Sequence, residues 1–166
     1  MLRPTLRLDA AYSLSSQRYV TYTPQAARAD AAGKLVAAEV SFAGRTIEQA
    51  PSALGNVLLS WTPKALRGGR LAAEWSQTGR YVMGYEVDAL GAPTEPVWYD
   101  GHQVWNLHAN MQVTPRVELF GRVLNLANRT YAETASYTAN DRVQPDTYNP
   151  GNPRTVYAGV RLTAGK

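Results

Sequence analysis

Residues 105–125 read WNLHANMQVTPRVELFGRVLN, and this stretch decides the fold. Trp105, Leu107, Ala109, Met111 and Val113 alternate with Asn106, His108, Asn110, Gln112 and Thr114. Side chains of a strand point to opposite faces in turn, so the stretch has one apolar face and one polar face. Pro115-Arg116 breaks the run, since proline has no N–H to give to a ladder and suits a turn. Alternation then resumes, with Val117, Leu119, Gly121 and Val123 opposing Glu118, Phe120, Arg122 and Leu124. The stretch predicts two antiparallel strands joined by a tight turn.

Four more segments alternate in the same way. In 5–14, Leu6, Leu8, Ala10, Tyr12 and Leu14 share a face. In 55–62 the apolar set is Val57, Leu59 and Trp61, and in 70–83 it is Leu71, Ala73, Trp75, Tyr81 and Met83. The last segment, 155–163, sets Val156, Ala158, Val160 and Leu162 against Thr155, Tyr157, Gly159, Arg161 and Thr163. The connections between the six are long, short, long, short, long: 15–54, 63–69, 84–104, the Pro115-Arg116 turn, and 126–154. A soluble sandwich has an apolar face turned to its core and no reason to keep that order. A transmembrane barrel turns the apolar face to lipid, and has long external loops and short periplasmic turns. The predicted fold is therefore all-β, an antiparallel transmembrane β-barrel fragment of about six up-and-down strands. The alternative is a soluble β-sandwich binding module with aromatic loops.

Composition agrees with a wet–apolar boundary. The 166 residues are 45% hydrophobic and 18% charged, which excludes a wholly disordered chain. Four Trp and ten Tyr stand against two Phe, and Trp and Tyr suit membrane interfaces. Trp61 is expected at the periplasmic end of its strand, Tyr81 and Trp105 near the external end, and Trp75 deeper. The net charge of +4 is scattered, with no basic run to follow a phosphate backbone, so nucleic acid is not an expected partner. Cysteine is absent, which excludes disulfides and thiol chemistry. No segment has the eighteen or so apolar residues of a membrane helix. No apolar export signal precedes the first strand, so the chain is expected to be part of a larger protein. No nucleophile elbow, HExxH or phosphate loop is present, and an enzyme is not expected.

The run from Trp105 to Glu133, followed by YNPGNPRTVYAGVRL (148–162), resembles the closing strands of TonB-dependent receptors of the outer-membrane siderophore type. In that family the penultimate strand commonly ends in Asn-Leu-x-(Asp/Asn)-(Lys/Arg)-x-Tyr, here Asn125, Leu126, Asn128, Arg129 and Tyr131. A Gly-x-Pro-Arg element, here Gly151, Pro153 and Arg154, commonly introduces the final strand. FAGRTIEQAP (42–51) and GRYVMG (79–84) resemble elements flanking earlier barrel strands. The resemblance implies that residues 1–166 are the C-terminal part of such a barrel, without its plug and earlier strands. It implies an outer-membrane location in a Gram-negative bacterium and active transport of a ferric siderophore or similar chelate. The implied partners are the TonB energy-transducing complex, the barrel-assembly machinery and outer-membrane lipid.

If ligand is captured on the external loops, the candidate residues are Arg80, Tyr85, Trp98, Tyr99, His102, Tyr137 and Arg142. Their rings offer broad contact and their guanidinium groups suit an anionic chelate; the same rings would also order the loop bases. Arg70, Glu74, Arg80, Glu118, Arg122 and Arg161 are expected to line a solvated lumen. Asn125 is expected to organise backbone turns. His102 and His108 lie six apart, too distant along a strand to share an ion, so no metal site and no cofactor are expected.

Overall fold

The computed structural model describes residues 5–30, 32–66, 68–139 and 143–164. In chain order the strands are β1 (Thr5–Leu14), β2 (Gln25–Ala29), β3 (Leu35–Glu39), β4 (Ala53–Thr62), β5 (Arg70–Thr78) and β6 (Tyr81–Val87). They continue with β7 (Pro93–Tyr99), β8 (His102–Thr114), β9 (Val117–Leu124), β10 (Ala132–Tyr137), β11 (Asp146–Pro150) and β12 (Thr155–Leu162). A single 3-10 turn, Lys64–Leu66, is the only helical piece among the described residues.

Six strands form one antiparallel sheet in the order β1-β4-β5-β8-β9-β12. The register aligns every apolar set. One row across the sheet reads Leu6, Trp61, Leu71, Ala109, Gly121, Ala158, and the next reads Leu8, Leu59, Ala73, Leu107, Val123, Val156. The row between these two points to the other face: Arg7, Ser60, Ala72, His108, Arg122, Tyr157. A slip of one residue in any strand would mix the two sets. Trp75 and Trp105 are direct partners, so they sit at one height rather than at two. The sheet is open, and neither β1 nor β12 has a partner on its outer side among the described residues.

The long connections are not plain loops. Each folds as a two-stranded hairpin, β2–β3, β6–β7 and β10–β11, and all three stand at the same end of the sheet. Among the described residues the opposite end carries the two short connections, the start of β1 and the end of β12. The segment 70–83, expected as one strand, is two. The chain breaks at Gly79, whose N–H donates to the Ala53 carbonyl at 2.7 Å. On the return strand Gly101 has φ +81°, and a Cβ there would collide with the Thr78 carbonyl oxygen. Only glycine fits such a kink without strain. Beyond it the face pattern restarts. Tyr81 and Met83 therefore do not join the outward apolar rows but are buried with Ala132 and Ala135, flanked by Val97, Tyr99 and Tyr137. The expected girdle position of Tyr81 is corrected accordingly. Arg80 likewise lies in the break, not on the polar face of the sheet.

The main buried cluster thus sits among the hairpins. On the sheet itself both faces are open, and Trp105 and Val160 on the apolar face are 49% and 58% exposed.

Candidate functional site

On the polar face the ionisable side chains are organised rather than scattered. Glu74 accepts hydrogen bonds from Asn56 Nδ2 at 2.9 Å and Asn106 Nδ2 at 3.1 Å, and pairs with His108 Nε2 at 3.3 Å. Glu118 accepts from Asn110 Nδ2 at 2.7 Å and Arg161 Nη1 at 2.7 Å. The carboxylates are held by neighbours on adjacent strands, as cross-strand pairs allow. A cleft of about 880 Å³ runs over this network, lined by Arg70, Glu74, His108, Glu118, Arg122 and Arg161. Five of the six expected lumen residues meet there; Arg80 does not.

At the hairpin end, tyrosine hydroxyls join one hairpin to the next. Tyr81 donates to the Ala135 carbonyl at 3.2 Å and accepts from the Ala135 N–H at 2.7 Å. Tyr99 does the same with Ala132, at 2.8 Å and 3.2 Å. Two phenols on β6 and β7 thus satisfy the free edge of β10. Burial pushes the Tyr99 phenol above its ordinary range. Tyr85 donates to the Thr46 carbonyl at 2.8 Å, and its ring meets Phe42 edge-on and Arg45 above. Arg45 in turn donates to the carbonyls of Thr94 and Pro93 on β7, at 2.6 and 2.7 Å. Burial raises the Tyr85 phenol too.

The expected ligand residues do not form one patch. Arg80 stacks its guanidinium 4.0 Å from the Trp98 ring centre, and that pair stays outward. Tyr85 is buried against the β3–β4 connection. The Tyr137 phenol hydrogen bonds to Glu86, which pushes it up to about 12. Arg142 lies outside the described residues. Tyr99 and His102 do meet, with the phenol oxygen 3.0 Å from Nδ1, and the His102 ring lies 4.5 Å from that of Tyr131.

The residues of the Asn-Leu-x-Asn-Arg-x-Tyr and Gly-x-Pro-Arg elements come together in one corner between β9 and β12. Asn125 is 2% exposed with φ +50°. Its Nδ2 donates to the carbonyls of Arg129 at 2.8 Å and Asn152 at 2.9 Å, and its Oδ1 accepts from the Arg129 N–H at 2.9 Å. Its own N–H donates to Asn106 Oδ1 at 3.0 Å, which links the corner to the Glu74 network. Asn128 Oδ1 accepts from the Arg154 N–H at 2.9 Å, next to Pro153. The Tyr131 ring lies against Gly151, where any Cβ would strike it. Leu126 remains exposed, its N–H on the Trp105 carbonyl at 2.7 Å.

Between this corner and the sheet lies a pocket of about 290 Å³, lined by Ser76, Thr78, His102, Tyr131, Glu133 and Asn152 among others. Of these, His102 was a ligand candidate from sequence and Tyr131 a residue of the Asn-Leu-x-Asn-Arg-x-Tyr element. Glu133 was legible only as one acidic residue in a loop; it is the extra residue of a β-bulge between Ala132 and Thr134. Bulges re-aim side chains, and no sequence pattern marked this one. Among the described residues no group of three or more His, Asp or Glu gathers as a metal site. Comparison of the chain with family models, with curated proteins and with solved structures finds no match in any of the three.

Proposed function

We propose that the six-stranded sheet is one wall of an outer-membrane β-barrel, and that the chain is the closing part of a TonB-dependent receptor importing a ferric siderophore or similar nutrient chelate. The observation that carries this reading is the register. It puts the apolar side chains of six strands on one continuous face, and no layer of the described chain packs on that face. Soluble monomers rarely expose an apolar patch of such extent. A sandwich would need a second sheet there to form its core.

Three further features support the reading. The six strands are eight to thirteen residues long, which suits a tilted crossing of about 25 Å of hydrocarbon. Hairpins at one end and short turns at the other match external and periplasmic sides. The opposite face carries a hydrogen-bonded polar network, as a wet lumen requires. The outer edges of β1 and β12 leave backbone groups that lipid cannot satisfy, so closure by further strands is part of the proposal. The importer assignment, its chelate and its TonB partner rest on the motifs of the β9–β12 corner.

The test is uptake. Cells lacking the gene should lose energy-dependent accumulation of one labelled ferric chelate from a panel, and the intact gene should restore it. Unchanged uptake of every chelate, with the protein present in the outer membrane of the parent, would sink the importer reading while leaving the barrel intact.

A further inference from the structure

The pocket beneath the β10–β11 hairpin holds polar groups that the fold does not use. Tyr99 explains the first of them. Its hydroxyl has one proton, given to the Ala132 carbonyl at 2.8 Å, and it accepts the Ala132 N–H. The remaining lone pair faces His102 Nδ1 at 3.0 Å. A hydroxyl whose proton is already committed can only accept there, so neutral His102 carries its proton on Nδ1. Nε2 is then a bare acceptor. Ordinary histidine is mostly neutral above pH 7.

The other unused groups surround the same space. The Ser76 and Thr78 hydroxyls come from the end of β5, the Asn152 amide from the approach to β12, and the Glu133 carboxylate from the bulge in β10. None of these four side chains makes a hydrogen bond to another described residue. By contrast the amides of Asn106 and Asn125 are held by Glu74 and by the corner backbone. The pocket therefore presents one carboxylate, one imidazole lone pair and hydroxyl oxygens. Aromatic character comes from Tyr131, and no Lys or Arg belongs to the lining.

We infer that this pocket binds a primary ammonium group. A protonated amine has three N–H donors and one positive charge. Glu133 supplies the opposite charge, His102 Nε2 and the Thr78 or Ser76 hydroxyl accept the remaining donors, and the Tyr131 ring gives the cation an aromatic neighbour. The group belongs either to a free polyamine or to a lysine of a protein segment lying along the polar face. The inference concerns the inner face of the hairpin end and does not depend on which nutrient is carried.

The full-length protein is labelled with ¹⁵N-histidine in detergent micelles, and the ring signals of His102 and His108 are assigned by their loss in the His102→Gln and His108→Gln variants. His108, already paired with Glu74, is the internal reference. At pH 7.5 His102 should show a protonated Nδ1 and an unprotonated Nε2. Titration with putrescine, or with the peptide acetyl-Ala-Lys-Ala-amide, should shift Nε2 of His102 and leave His108 in place, whereas 1-butanol should do nothing. The tighter of the two amines identifies the source. Glu133→Gln, at an exposed position, should weaken the binding about tenfold or more. Thr78→Val gives a second, milder loss. A His102 protonated on Nε2, no shift with either amine, or an unchanged affinity in Glu133→Gln would overturn the inference.

Discussion

Asn125 shows how much one side chain can hold. It adopts a left-handed backbone conformation while its amide group serves three backbone partners. Replacing it with alanine removes the bonds to two carbonyls and one N–H in a part-buried corner. Asn125→Ala should therefore cost about 2–4 kcal/mol, read as a lower urea midpoint in micelles. Asn125→Asp keeps the acceptor but sets a carboxylate oxygen against the Arg129 and Asn152 carbonyls, and should lose at least as much. Tyr137 gives a second residue-scale prediction. Its phenol is held at about 12 by Glu86, above the ordinary value of 10.0. A group whose folded value is raised contributes stability below its unfolded value and loses it as pH rises through the folded one. The contact should thus hold up to about pH 10 and fail between about 10 and 12. Absorbance of tyrosinate should show a late-titrating component, of which the share due to Tyr137 moves down in Glu86→Gln while Tyr85 and Tyr99 stay raised. The motif residues Asn125, Tyr131 and Gly151 could be picked out from sequence. That Asn125 reaches Asn152 could not, because the link depends on the path of the intervening hairpin.

Elements carry the largest gap between sequence and structure. Strands of the sheet were legible because one face meets one environment throughout, which keeps the period at two. The hairpins pack on each other from several sides, so their alternation is irregular and bulged at Met83 and Glu133. Their turns, however, carry a repeated signal. Asp30 and Asp88 begin DAAGK and DALGA, and in both the aspartate Oδ1 accepts the N–H groups two and four residues on. Gly33 and Gly91 supply the positive φ. A capping aspartate followed three residues later by glycine is a turn mark that the alternation pattern hides. Asp88→Ala should loosen the β6–β7 hairpin by about 1 kcal/mol, seen as faster hydrogen exchange in β6 and β7 with β1 and β4 unchanged.

For the whole molecule, the two faces of the sheet can be told apart with adjacent substitutions on β12. Tyr157 points to the polar face and Ala158 to the apolar face, and both are exposed. In water, arginine at either position would be nearly neutral. In a bilayer, Ala158→Arg should cost about 2–4 kcal/mol and reduce assembly in the outer membrane, while Tyr157→Arg should assemble normally. Equal behaviour of the two would remove the lipid-facing assignment. The facing of each strand was readable because a period of two leaves only two choices. The short turns gave only the β4–β5 and β8–β9 neighbours; the other three pairs followed from the up-and-down reading. The hairpin extensions raise this end of the molecule above the sheet, and nothing in the alternating segments announced them.

The Tyr81 and Tyr99 contacts with β10 have a kinetic meaning as well. Strands β5 and β8 are separated by the whole β6–β7 hairpin, yet the local turn at Asp88 can form first and bring their ends together. Pairing is then expected to run like a zipper from the tip through β6–β7 and past Gly79 and Gly101 into the sheet. The entropy of closing a long loop is thereby avoided at this step. The two phenols would then template β10, so amides of the hairpin end are expected to gain protection in pulsed hydrogen exchange before those in the middle of the sheet.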